Sequence, residues 1–142
     1  MTLLRHIGIT VLDLDKELDF YKNILGFKIR RCATEKSDFI DKLSSLESVK
    51  VKTVKLADAK GNLIELLCYL SHPCASKKIP ICESGFTHIA LTVNDLDREY
   101  IRLKNKGIDF NWQPQVSPDK KAKVAFCRDP EGNLIELVEE LK

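Results

Sequence analysis

Hydrophobic and polar positions along this chain follow two spacings that alternate, and the whole alternation occurs twice. From Leu4 to Leu12 the spacing is two: Ile7, Ile9 and Val11 share one side, His6, Gly8 and Thr10 the other, as in a half-buried strand. The spacing then becomes helical. Leu14, Leu18, Tyr21 and Leu25 form one stripe, Asp13 or Asp15 offers an N-cap, and Gly26 ends the run. Two β-rich runs follow, Val49–Leu56 and Leu63–Tyr69, joined through Asp58-Ala-Lys-Gly-Asn, a turn of hairpin type. The pattern restarts with Ile89, Leu91 and Val93 opposite His88, Ala90 and Thr92. Asp95, Leu96, Tyr100, Leu103 and Gly107 repeat the helix, and Asp129-Pro-Glu-Gly-Asn joins Lys123–Arg128 to Leu134–Glu140.

The restart is a duplication. HIGITVLDLD at 6–15 matches HIALTVNDLD at 88–97 with an offset of 82, and GNLIELL at 61–67 matches GNLIELV at 132–138 with an offset of 71. Between them LGF at 25–27 faces KGI at 106–108, offset by 81, so about ten extra residues lie inside the first copy. Each copy reads strand, helix, three strands. The expected fold is therefore α+β, built from tandem βαβββ modules over 1–70 and 85–142, with a Pro-containing linker at 71–84. The extra segment, 33–48, carries Phe39, Leu43 and Leu46 at i, i+4 and i+7. It predicts a short amphipathic helix over the sheet, either a packing element or a lid.

Composition narrows the function classes. With 142 residues, 44% of them apolar, the chain fits one domain or two small modules sharing a core, and needs no covalent staple. The five cysteines are an odd number without CxxC spacing, which predicts reduced thiols; Cys74, Cys82 and His72 lack the spacing of a zinc knuckle. Lys and Arg number 23 against 21 Asp and Glu, and no basic run exceeds a pair such as Arg30-Arg31 or Lys120-Lys121. A net charge of +2 argues against nucleic acid as a partner. No apolar run reaches the roughly 20 residues that span a bilayer, and Met1–Arg5 has no secretory signature, so the expected location is the cytoplasm.

The duplication also repeats chemistry. Each copy places one His on its first strand and one Glu on its last: His6 with Glu65, His88 with Glu136. Both histidines fall on the side opposite the large aliphatics, and both glutamates lie between Ile and Leu, where an unpaired carboxylate is costly. Taken singly, each His is a satisfied core residue and each Glu a surface charge. Taken together, two imidazoles and two carboxylates make a mixed N/O set suited to a borderline divalent metal such as Zn, Ni, Co, Mn or Fe.

These stretches, with DAKGNLIELL and FCRDPEGNLIELVEE, resemble the vicinal oxygen chelate superfamily over nearly the whole chain. That superfamily includes glyoxalase I, methylmalonyl-CoA epimerase, extradiol dioxygenases, fosfomycin-resistance proteins and bleomycin-binding proteins. The resemblance implies two βαβββ modules forming one domain, a curved eight-stranded mixed sheet with helices on its outer face. It implies metal ligation by His6, Glu65, His88 and Glu136, with one divalent ion per site, Ni, Zn, Co or Mn ahead of Fe. The four-ligand set is most similar to glyoxalase I. Dioxygenases and fosfomycin enzymes have no carboxylate at the position of Glu65, and the epimerases commonly carry Gln there. The implied activity is a lyase/isomerase acting through a metal-stabilised enediolate on an adduct of a small 2-oxo compound and a thiol, with Glu65 and Glu136 as candidate bases. Glutathione-using members hold their thiol with an Arg and an Asn where this chain has Thr10 and Tyr69, which leaves the thiol carrier open. Thr10, Tyr69, Thr92 and Trp112 are the further candidates for contact with a small-molecule substrate, and Trp112 is equally a candidate for the core. A homodimer is one of two arrangements the family uses. The remaining alternatives are a methylmalonyl-CoA epimerase-like racemase, an extradiol-type dioxygenase, and a metal-free antibiotic-binding protein; the intact His/Glu set and 7% aromatic content count against the last.

Overall fold

A computed structural model describes residues 1–75 and 78–142 of the chain. They form two compact units, divided between residues 76 and 77, and each carries its own four-stranded mixed sheet. The expected linker at 71–84 straddles this division; Ser76 and Lys77 within it lie outside the described residues.

In the first unit, β1 (Ile7–Thr10), α1 (Leu14–Leu18), β2 (Lys28–Glu35), α2 (Asp38–Ser44), β3 (Val51–Ala57) and β4 (Leu63–Tyr69) follow one another. The strand order is β1-β4-β3-β2, with β1 parallel to β4 and the other pairs antiparallel. The second unit repeats this with β5 (His88–Thr92), α3 (Leu96–Asn105), β6 (Gln115–Val116), β7 (Ala122–Arg128) and β8 (Leu134–Glu140), in the order β5-β8-β7-β6. Both units are therefore βαβββ, the first with α2 inserted between its second and third strands. The second strand of each, β2 and the two-residue β6, had no clear periodic signature, because both are edge strands with largely exposed side chains.

The same devices fix both copies. Asp13 and Asp95 cap their helices by accepting from the amides of Lys16 and Arg98. Gly26 and Gly107 end the helical segments at φ of 85° and 80°, a conformation that side chains with a Cβ rarely adopt. Asp58 and Asp129 close their turns identically. Each carboxylate accepts from the amides two and four residues on and from the Asn side chain four residues on.

One face of each sheet packs under its helix. In the first unit this face holds Val54, Leu56, Ile64 and Leu66; in the second, Ala125, Cys127, Ile135 and Leu137 lie beneath Leu96 and Leu103. Burial pushes the Cys127 thiol up to about 12, as expected of a cysteine serving as a small hydrophobe. Cys32, Cys74 and Cys82 are exposed free thiols.

Three features depart from the sequence expectation. The first helix widens after Leu18 into a π-helical turn over Asp19–Ile24. The wider turn brings adjacent Phe20 and Tyr21 both to full burial and leaves Leu18 and Leu25 only half-buried, so of the predicted stripe Leu14 and Tyr21 are buried and Phe20 replaces the other two. The segment 33–48 begins as strand, since β2 runs to Glu35. Its helix leaves Phe39 and Leu43 each 67% exposed rather than packed over the sheet of its own unit. Trp112 is 71% exposed and is no core residue.

Candidate metal centre

The face of each sheet opposite the helix carries the repeated polar residues. In the first unit the ladder sets Gly8 of β1, Glu65 of β4 and Lys55 of β3 side by side. His6, immediately before β1, points Nε2 at Glu65 Oε2 at 2.9 Å. The other carboxylate oxygen, Oε1, stands 3.5 Å from Lys55 Nζ. Glu65 is 9% exposed, which makes these partners necessary, because a buried carboxylate without them would carry an uncompensated charge. A Cβ at Gly8 would stand 3.3 Å from Leu67 Cδ1, so that side chain would have to give by a few tenths of an ångström.

In the second unit Ala90, Glu136 and Phe126 take the same ladder positions. His88 Nε2 lies 3.4 Å from Glu136 Oε2, and its other nitrogen, Nδ1, lies 3.0 Å from Thr87 Oγ1. The Phe126 ring meets His88 edge-on at 5.3 Å between centroids.

Both pairs present one imidazole nitrogen and one carboxylate oxygen to each other. Donors that share a divalent ion at about 2.1 Å each stand about 3 Å apart, so both separations fit two neighbouring ligands of one ion. A hydrogen bond also accounts for the 2.9 Å pair. In the first pair His6 Nδ1 is buried without a hydrogen-bond partner among the described residues, so only Nε2 is engaged. The second pair adds an observation that favours ligation. In the second pair, the Thr87 hydroxyl holds the far nitrogen of His88, the kind of outer contact that orients a ligating histidine. Among the described residues no third His, Cys, Asp or Glu joins either pair.

The other predicted contacts fall as follows. Thr10 and Thr92 occupy exposed positions on the same side of their strands as Gly8 and Ala90. Tyr69 ends β4 on the Glu65 side, half-buried, and Trp112 lies between strands. Sequence reasoning missed Lys55 and Phe126. The signal was available, since the 71-residue offset that aligns Glu65 with Glu136 also aligns Lys55 with Phe126. A cleft of about 330 Å³ in the first unit is lined by Leu14, Leu18, Cys32 and Val54, on the helix side of the sheet and away from His6.

Residues 3–137 match the family model described as Glyoxalase/Bleomycin resistance protein/Dioxygenase superfamily. The chain is 32% identical over 136 residues to a probable lactoylglutathione lyase of Synechocystis, covering 96% of this chain and 94% of that protein. It is 29% identical over 143 residues to the lactoylglutathione lyase of Schizosaccharomyces pombe; there it spans 95% of its own length but only 46% of the yeast enzyme. Among solved structures, a glyoxalase family protein from Bacillus cereus superposes with a TM-score of 0.89 at 26% identity, covering 100% of this chain and 97% of that one.

Proposed function

The chain belongs to the glyoxalase/bleomycin resistance protein/dioxygenase superfamily, and on that footing we propose that it is a divalent-metal-dependent lyase/isomerase of the glyoxalase I kind. The substrate class is the adduct of a small 2-oxo compound with a thiol. The observation that carries this reading is the duplicated pair, in which an imidazole Nε2 and a carboxylate Oε2 face each other in each copy. The relatives named as lactoylglutathione lyases support it.

In this reading His6, Glu65, His88 and Glu136 hold one ion per set of four, the two pairs coming from one chain or from two chains of a homodimer. When bound, a Zn, Ni, Co or Mn ion supplies Lewis acidity that weakens the C–H bond beside a carbonyl and stabilises the negative charge left behind. Glu65 or Glu136 accepts the proton at a carboxylate oxygen and returns it. Return to the neighbouring carbon completes an isomerisation; return to the same carbon from the other side completes an epimerisation. Thr10 and Tyr69 stand where glutathione-using members carry Arg and Asn, so the expected thiol is one without a γ-glutamyl group to hold. A cytoplasmic location fits the reading, and no helix among the described residues is long and apolar enough to cross a membrane.

The direct test is a substrate panel on metal-loaded protein. Hemithioacetals of a 2-oxoaldehyde with several thiols are followed by thioester absorbance, and branched acyl-CoA esters by deuterium exchange at the acidic carbon. Thioester formation, fastest with a thiol other than glutathione, is the expected result. Exchange on the acyl-CoA alone would replace this reading with the epimerase.

A further inference from the structure

The two copies repeat their His and Glu but not what surrounds them. In the first copy both oxygens of Glu65 are engaged, Oε2 by His6 and Oε1 by Lys55. At the same ladder position in the second copy stands Phe126, an apolar ring that meets His88 edge-on and offers the carboxylate no cation. The Glu136 side chain is correspondingly more exposed, at 23% against 12% for Glu65.

We propose that Lys55 is a positioning residue that anchors Glu65 through Oε1 and so fixes Oε2 as the oxygen offered beside His6 Nε2. The proposal rests on the metal reading above and adds a residue of this chain to it. Geometry supports a fixed anchor rather than a passing contact. Lys55 is directly across the ladder from Glu65, its side chain is 28% exposed, and both residues sit mid-strand in the interior of the sheet.

A cation beside a ligand can act in two opposite ways. It repels a divalent ion through space, and it holds the carboxylate in the orientation that the ion requires. The sign of its effect on ion affinity separates the two. If anchoring dominates, removing the ammonium weakens binding; if repulsion dominates, binding tightens.

The measurement is Co(II) and Zn(II) affinity of the apoprotein, by competition with a chromogenic chelator, for the wild type and for Lys55→Met, Lys55→Arg and Lys52→Met. Lys52 lies on the same strand with its side chain on the other side of the sheet, and serves as the control. Thermal melts of the apo variants check that each is folded. Lys55→Met is expected to bind about tenfold more weakly, with Lys55→Arg recovering most of the loss and Lys52→Met unchanged. Unchanged or tighter binding by Lys55→Met would overturn the proposal, as would an equal loss in Lys55→Arg. A wild type that binds neither ion would instead defeat the metal reading itself.

Discussion

Glu65→Gln and Glu136→Gln are each expected to lower kcat on the hemithioacetal substrate by about 10²–10⁴-fold, the range associated with loss of a positioned proton-transfer group. Gln keeps the shape and one coordinating oxygen but can neither accept a proton at that oxygen nor carry the charge that balances a divalent ion. The two variants also separate the competing activities. A site of the epimerase kind tolerates Gln at position 65, because its relatives commonly carry Gln there, whereas a site of the glyoxalase kind does not. Steady-state kinetics with each variant fully loaded with metal reads the difference. Glu65→Gln with wild-type turnover on every substrate would remove Glu65 from any part in moving the proton.

Phe20→Ala is expected to destabilise the protein by about 3–5 kcal/mol, the usual range for emptying a buried phenylalanine site. Phe20 is completely buried, and its ring meets Tyr21 edge-on with centroids 5.1 Å apart. Tyr21 in turn meets Phe27 at 6.2 Å, so deletion of the first ring leaves a void beside a continuous aromatic cluster. Against a total stability of about 5–15 kcal/mol for a domain of this size, the loss is a large fraction. Urea unfolding followed by far-UV circular dichroism measures it. A shift below about 1 kcal/mol would mean that the widened turn over Asp19–Ile24 can close over the missing ring.

What the sequence allowed to be read follows from where the repeat is strict. The βαβββ order, the caps at Asp13 and Asp95 and the matched turns at Asp58 and Asp129 all lie in segments that the two copies share nearly letter for letter. The strands that were counted but not located, β2 and β6, are exposed edges whose side chains have no buried face to impose a period of two. The partly displaced helix stripe has a different origin. A π-helical turn inserts its extra residue without any Gly or Pro to mark it, so 3.6-residue spacing placed Leu14 and Tyr21 correctly but grouped Leu18 and Leu25 with them where the fold buries Phe20 instead.

At the candidate site, alternation along single strands was enough to put each His on the side away from the large aliphatics. It could not say which partners the carboxylates meet, because Lys55 and Phe126 reach Glu65 and Glu136 across the ladder rather than along the chain. Trp112 was out of reach for the opposite reason: a lone aromatic outside any periodic segment carries no signal of burial in either direction.

We propose that the duplicated His and Glu hold a metal ion, and the ion content of the purified protein decides it. Protein purified without tag or chelator, and analysed by plasma mass spectrometry, is expected to carry about one divalent ion per set of His6, Glu65, His88 and Glu136. The His6→Ala and Glu136→Ala variants are expected to lose it. Wild-type protein that stays metal-free after incubation with Ni, Zn, Co, Mn and Fe would contradict the account, leaving a ligand-binding protein on a metalloenzyme's fold.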